Sequence, residues 1–245
     1  MNSFLLAVGF LTIIPVRTPP PRPGDMGRAA MWYPLVGFGL GLLLAMVYRV
    51  FGLLLPSLLA AALTVSLWAL LTGGLHLDGL ADCCDGLLAT ATPERRLEIM
   101  RDPRLGSFGV IGLILFLMLK VVTVSTLPPS SFFFLPFTSS LSRWLIVPVA
   151  LRPSARLSGM GVDFKSGLTP PVIVMAALVP AAWTMLGLIF QTWSLLIAVA
   201  LAHLVTFGII VLTRVRLGGV TGDVFGLTVE LGELAVLLTF AARLP

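Results

Sequence analysis

Long apolar segments alternate with short polar connections along most of the chain. Each segment ends at proline, glycine, serine or a charged residue. The segments cover residues 31–55, 57–74, 107–127, 132–151, 172–190, 193–213 and 231–243. A hydrocarbon core of about 30 Å requires roughly 20 apolar residues in one helix, so this pattern predicts six or seven transmembrane helices. A shorter run, Phe4 to Val16, predicts an interfacial or re-entrant helix before them.

Charge divides the connections into two kinds. The turns at 55–57, 128–131 and 191–194 contain no charged residue, whereas the alternate loops hold nearly all of the arginines. By the positive-inside rule, the arginine-rich loops face the cytoplasm. The 11 acidic residues fall on the same side or in the adjoining helix ends. Topology does not require acids there, so their position indicates a chemical role.

Composition narrows the fold class to an all-α polytopic membrane bundle. Of the 245 residues, 58% are hydrophobic and 11% are charged, and the mean hydropathy is +1.04, which excludes an ordinary soluble domain. The length leaves room for one domain, residues 1–245, embedded in the lipid bilayer. The net charge of +5 comes from arginines scattered through short loops, a pattern that topology explains and that argues against a nucleic-acid partner. The adjacent Cys83 and Cys84 are expected to be reduced.

The strongest chemical signal lies in residues 72–86. Asp78, Asp82 and Asp85 recur at i, i+4 and i+7, which places three carboxylates on one stripe of a helix. Because like charges repel at this spacing, a compensating cation is expected. Mg²⁺ or Mn²⁺ suits such an all-oxygen site. The alternative is a solvated face paired with arginines of the next loop. Glycines within the stretch predict close approach by another backbone or a ligand.

A second stretch, residues 100–109, predicts an anion site. Arg101 and Arg104 can bind phosphate through paired hydrogen bonds, and the glycines around Ser107 can present backbone N–H groups where the next helix begins. The alternative is a positive-inside anchor, which requires only the arginines.

A third stretch, residues 218–233, carries further acids. Asp223 and Glu230 are seven residues apart and share a helical face, and Glu233 follows three residues later. Two carboxylate clusters from distant parts of the chain can converge on one metal pair. Helix capping by Thr221 or Asp223 is the alternative for the start of this stretch.

Three further polar residues stand near or within apolar segments. Lys120 and Arg143 lie inside predicted helices, where a charge normally faces a cavity or a partner. They are expected in the bundle interior, either neutralising a polyphosphate or pairing with the acids. His76 fits a general base or a phosphate-facing donor, and equally a satisfied structural group.

Taken together, these motifs resemble the cobalamin synthase family, the adenosylcobinamide-GDP ribazoletransferases. The residues that carry the resemblance occur in the family's order and at similar spacing over nearly the whole chain. They are residues 10–16, 73–86, 100–109, 120, 142–144 and 219–233.

The resemblance implies a multi-pass enzyme of the bacterial cytoplasmic (inner) membrane with its active site facing the cytoplasm. A ribose hydroxyl of α-ribazole, or of its 5′-phosphate, would attack the phosphate bound to cobinamide in adenosylcobinamide-GDP, and GMP would leave. Mg²⁺ is the implied cofactor, with Mn²⁺ as a substitute. The oligomeric state stays open, a homo-oligomer included.

The resemblance also assigns roles to individual residues. The implied metal ligands are Asp78, Asp82 and Asp85, with Asp223 and Glu230 as contributors. The implied phosphate-binding residues are Arg101, Arg104, Ser107, Lys120, Arg143 and Thr221. The implied catalytic residues are His76, Asp82 and Arg101.

Three other classes compete with this interpretation. A CDP-alcohol phosphotransferase also holds a metal with membrane-helix aspartates, but its motif requires Ala-Arg where this chain has Ala81-Asp82. A prenyltransferase shares the aspartate spacing and not the glycine-rich third stretch. A transporter would use Lys120 and Arg143 in a substrate pathway near the bilayer midplane, whereas the acids here are predicted near one membrane face.

Overall fold

The computed structural model describes residues 2–127, 131–189 and 193–242. Most of the predicted turns at 128–131 and 191–194 therefore lies outside the described residues. Within the described ranges the regular structure is helical, apart from one isolated parallel bridge between Ser154 and Val220.

The first part of the chain contains a short leading helix, one long helix and several shorter ones. They are α1 (Ser3–Leu11), α2 (Asp25–Ala29), α3 (Tyr33–Leu54), α4 (Ser57–Leu71), α5 (Leu75–Leu88) and α6 (Pro93–Ile99). The second part contains α7 (Ser107–Ser125), α8 (Ser131–Trp144), α9 (Ile146–Ala150), α10 (Met160–Gly167), α11 (Pro170–Ile189), α12 (Trp193–Leu217) and α13 (Gly222–Ala241).

Six helical stretches in the described part of the chain are long and apolar enough to cross a membrane. They are Asp25–Leu54, Ser107–Ser125, Phe133–Ala150, Pro170–Ile189, Trp193–Leu217 and Gly222–Ala241. This confirms the predicted polytopic helical membrane bundle. Helix α1, only nine residues long, confirms that the first apolar run forms a helix too short to span a bilayer.

The predicted span at 57–74 is corrected by a sharp bend. Helix α4 has 15 residues, and α5 leaves it at an angle of 91°. Gly73 and Gly74 adopt φ of 62° and 69°, a left-handed conformation that glycine tolerates best. These two glycines end α4 and turn the chain, so α4 and α5 form a broken span or a re-entrant pair.

The last predicted span, 231–243, is also corrected, because α13 begins nine residues earlier, at Gly222. Its apolar window is 83% buried, as is the window at Phe133–Ala150, whereas the α7, α11 and α12 windows are only 22–28% buried. Helix α13 is therefore a central helix. Its polar residues lower the local hydropathy, although their partners lie inside the bundle.

Helices α5 and α13 cross at very close range through two glycines. A Cβ atom on Gly79 would lie 2.6 Å from the carbonyl oxygen of Asp223, and one on Gly226 would lie 2.8 Å from that of His76. The backbones touch where any larger residue would separate them. This confirms the close approach that the glycines of the first stretch predicted.

We expect Gly226→Ala to destabilise the protein by about 1–3 kcal/mol, because the added methyl group forces two backbones apart. The thermal unfolding midpoint in detergent measures the effect. Gly208→Ala in α12 is the matched control, since a Cβ there meets no atom within 4 Å. Equal midpoints for the two variants would contradict the close crossing.

Candidate active site

A cavity of about 220 Å³ lies where α5 and α13 begin, beside the loop that precedes α10. The first stretch contributes His76, Asp78 and Gly79 to its lining, and the third contributes Thr221, Gly222 and Asp223. Ser154, Arg156 and Ser158 of the loop complete the polar wall. Two motifs about 140 residues apart in sequence thus meet in one place, because the glycine crossing brings their helices together.

Two carboxylates, those of Asp78 and Asp223, line this cavity, and Asp82 is a charged neighbour of both. Asp78 is exposed, while Asp82 and Asp223 are partly buried. Asp82 lies within electrostatic range of both others and of Arg156. The carboxylates of Asp78 and Asp82 accept no hydrogen bond from any described residue. The group therefore carries more negative charge than its one nearby arginine neutralises.

The chemistry of these donors fits a hard divalent cation. No three acidic, histidine or cysteine side chains in the described ranges are close enough to form a preassembled metal site. Mg²⁺ does not require one, because it is usually bound by one or two carboxylates, several waters and substrate phosphates. Asp78, Asp82 and Asp223 are the residues placed to supply those carboxylates.

Asp85, the third member of the predicted stripe, is directed elsewhere. Its two carboxylate oxygens accept hydrogen bonds from the backbone N–H groups of Gly106 and Gly109, each at 2.8 Å. These groups surround the first turn of α7, where an anion is favoured. The backbone anion site predicted in the second stretch is therefore occupied by the protein's own carboxylate.

We expect Asp85→Ala to destabilise the protein by about 1–2 kcal/mol, the usual cost of losing a helix cap. Thermal unfolding in detergent measures this loss, and Asp85→Asn should lose less because one acceptor oxygen remains. If Asp85→Ala kept the unfolding midpoint but lost Mn²⁺ binding, Asp85 would instead be a metal ligand.

Glu230 also lies away from the cavity, in a buried group of four charges. Lys120 Nζ donates to Glu230 Oε2 at 2.8 Å and to Glu233. The guanidinium of Arg143 pairs with Glu233 as well. All four side chains are at most 6% exposed. The prediction that Lys120 and Arg143 face the bundle interior is confirmed, and they pair with acids.

The depth of these acids corrects the prediction that all acidic residues lie near one face. Glu233 stands eleven residues into α13, about 16 Å along the helix axis. That is the middle of this 20-residue helix. The sequence pattern missed this position because it placed the start of the apolar span at residue 231, whereas α13 begins at Gly222.

The arginines of the second stretch lie apart from the cavity. Arg101 and Arg104 are exposed, and Ser107 is exposed at the first turn of α7. Arg104 donates to Asp102 at 2.7 Å, and these hydrogen bonds lower the pKa of Asp102 to about 2. Arg104 lines a separate hollow of about 270 Å³ together with Asp85. The aspartate stripe of α5 runs between the two hollows.

His76 is part of the cavity lining. Its side chain is 3% exposed, and neither ring nitrogen has a hydrogen-bond partner among the described residues. The ring lies within electrostatic range of Arg143 and Lys120. His76 thus stands between the cavity and the buried charges, and both of its ring nitrogens are buried without a partner among the described residues.

Arg156 is a cavity residue that the sequence analysis missed. Its Nη2 lies 3.3 Å from Asp223 Oδ2, and its side chain is 19% exposed. In the sequence it is one of several loop arginines that topology alone explains. The available signal was the run of small polar neighbours, Ser154, Ser158 and Gly159.

Comparison with known proteins agrees with this arrangement over the whole chain. The sequence model of the family described as cobalamin-5-phosphate synthase matches residues 3–241. No solved structure gives a significant match.

Curated relatives are similar over nearly their full length. The adenosylcobinamide-GDP ribazoletransferase of Geotalea daltonii is 38% identical, covering 99% of this chain and 98% of its own length. The protein of the same name from Pseudomonas savastanoi pv. phaseolicola is 40% identical, covering 98% and 99%. That of Desulfitobacterium hafniense is 35% identical, covering 97% and 96%. The chain therefore belongs to the cobalamin-5-phosphate synthase family.

Proposed function

We propose that this protein is a membrane-embedded transferase that joins α-ribazole, or its 5′-phosphate, to adenosylcobinamide-GDP and releases GMP. The reaction is the late nucleotide-loop assembly step of cobalamin biosynthesis. Full-length relatives with this name support the proposal. The observation that carries it is the meeting of Asp78, Asp223 and Arg156 in one cavity, since phosphoryl transfer depends on positioning and charge neutralisation.

In the proposed reaction, a ribose hydroxyl oxygen forms a bond to the phosphorus nearest cobinamide. The bond from that phosphorus to the bridging oxygen breaks, and GMP leaves with the electron pair. Arg156 binds a non-bridging phosphate oxygen, while His76 is the candidate acceptor of the hydroxyl proton. Asp78, Asp82 and Asp223 would hold Mg²⁺, which neutralises phosphate charge when bound.

The cavity limits which part of the substrate it encloses. At about 220 Å³ it is smaller than the roughly 300–1,000 Å³ of pockets that enclose a drug-sized ligand. We propose that it encloses the diphosphate and the attacking ribose, and that the corrin ring remains outside. The stripe from Asp78 to Asp85, about 10 Å long, provides a surface along which a longer substrate can lie.

We also propose that the cavity opens to the cytoplasm of a bacterial inner membrane. The arginine-rich connections lie at the same ends of the helices as the cavity, and such loops face the cytoplasm in most membrane proteins. Both substrates would then enter without crossing the bilayer.

The test is GMP release by the purified protein in proteoliposomes supplied with adenosylcobinamide-GDP and α-ribazole. We expect GMP and the cobalamin product in equal amounts with Mg²⁺, and neither with a chelator. Release of GMP that is independent of metal would contradict the role of Mg²⁺. If folded protein released no GMP but released CMP from a CDP-alcohol, the rival transferase would replace this proposal.

A further inference from the structure

Arg156 is held at a fixed place beside the third motif. Its loop pairs with the segment before α13: Val220 N–H donates to the Pro153 carbonyl at 3.0 Å, and Ala155 N–H donates to the Val220 carbonyl at 2.9 Å. A Cβ on Gly219 would lie 2.5 Å from the Pro153 carbonyl oxygen, so the pairing requires glycine there. The backbone that carries Arg156 is thereby tied to the start of the helix that carries Asp223.

The hydrogen bonds of the Arg156 guanidinium are incomplete. Its contact with Asp223 is a single 3.3 Å hydrogen bond from Nη2. A well-formed arginine–carboxylate pair has two parallel bonds of about 2.7–2.9 Å. The Arg156 Nε is buried and has no partner among the described residues. An arginine in a polar cavity whose N–H donors are not all used can donate hydrogen bonds to an additional anionic group.

Asp223 is similarly able to change partners. Besides Arg156, its Oδ2 accepts a hydrogen bond from the Thr221 hydroxyl at 3.1 Å. Asp78 and Asp82 lie within electrostatic range of it. A divalent cation shared with those carboxylates would neutralise Asp223 more completely than one loose contact with Arg156 does.

We propose that Arg156 is an exchangeable counter-ion that alternates between Asp223 and a phosphate of the diphosphate substrate. When a divalent cation binds Asp223, the guanidinium is released and turns its donors to the phosphate. Cation and arginine then neutralise opposite sides of the same substrate. This inference rests on the proposed diphosphate substrate and deepens it, since it names the residue that couples cation binding to phosphate binding.

If this exchange occurs, one substitution should have opposite effects on the affinities for two ligands. Without nucleotide, Arg156→Gln should bind Mn²⁺ about threefold to tenfold more tightly than wild type, because Asp223 has lost its competing cation. With saturating Mn²⁺, the same variant should bind GDP at least about tenfold more weakly, because a charge-assisted phosphate contact is lost. Electron paramagnetic resonance of free Mn²⁺ and a fluorescent GDP titration measure the two affinities in detergent.

Two further variants serve as controls. Arg152→Gln removes an exposed arginine of the same loop and should change neither affinity. Arg156→Lys should recover part of the GDP affinity. Weaker Mn²⁺ binding by Arg156→Gln would indicate a structural role and overturn the exchange, and unchanged GDP affinity would overturn it as well. Neither measurement requires turnover, so a failure of the proposed reaction would be seen separately, as absent GMP release by wild type.

Discussion

Asp82→Asn is expected to lower the rate of GMP release by at least about a hundredfold while the protein remains folded. Asp82 stands at the centre of the carboxylate group, within electrostatic range of Asp78 and Asp223. Its side chain accepts no hydrogen bond from any described residue, so the amide removes charge without breaking a structural contact. Loss of one group that stabilises transition-state charge typically costs a factor of about 10²–10³.

The thermal stability of Asp82→Asn, unlike its activity, should not fall. Because like charges near one another are destabilising, removing one carboxylate from this group should leave the unfolding midpoint unchanged or slightly higher. Such a gain of stability with a loss of activity is typical of a functional site. Glu94→Gln is the matched control, since Glu94 is exposed on α6 and should keep wild-type turnover.

The outcome is read from three measurements on the same preparation. These are GMP release, Mn²⁺ affinity and the thermal unfolding midpoint in detergent. Wild-type turnover by Asp82→Asn would refute its role as a metal ligand. A lower unfolding midpoint would indicate that Asp82 supports the fold.

Lys120→Met is expected to be the most destabilising of the single substitutions discussed, at about 3–5 kcal/mol. The ammonium group contacts both Glu230 and Glu233 in the bundle interior. Methionine fills a similar volume but leaves two carboxylates with only Arg143 as a counter-charge. An uncompensated charge in this environment has no water to solvate it.

A double variant separates charge balance from packing. In Lys120→Met combined with Glu230→Gln, the remaining Glu233 and Arg143 balance each other, and we expect stability to recover part of the way to wild type. Arg49→Met serves as the control, because Arg49 is exposed near the end of α3. The yield of monodisperse protein and the unfolding midpoint measure the effect. If the double variant lost as much stability as the two single variants lose in sum, the broken ion pair would not be the cause of the instability.

The sequence predicts those features that depend on local pattern. The length of the apolar segments predicts most of the spans, and the i, i+4, i+7 spacing of the aspartates predicts that they share one helix, α5. Lys120 and Arg143 are recognisable because a charge within an apolar segment requires a partner. Each of these inferences needs only neighbouring residues.

Other features depend on contacts between distant segments. The pairing of Asp85 with the first turn of α7 joins residues 21 and 24 positions apart, and the Lys120–Glu230 pair joins residues 110 positions apart. The span formed by α13 was placed at 231–243 because a hydropathy window counts a glutamate as unfavourable whether or not a lysine neutralises it. Arg156 was missed because loop arginines already have a topological explanation.

The buried group of four charges also has a consequence for biogenesis. Lys120 and Arg143 leave the ribosome about 90–110 residues before the glutamates that neutralise them. A lysine or arginine at the centre of a membrane helix opposes insertion by about 2.5–3.5 kcal/mol. We therefore expect helices α7 and α8 to insert stably in lipid only after α13 has emerged. On this expectation, completion of the bundle is a late event in synthesis and depends on the arrival of α13.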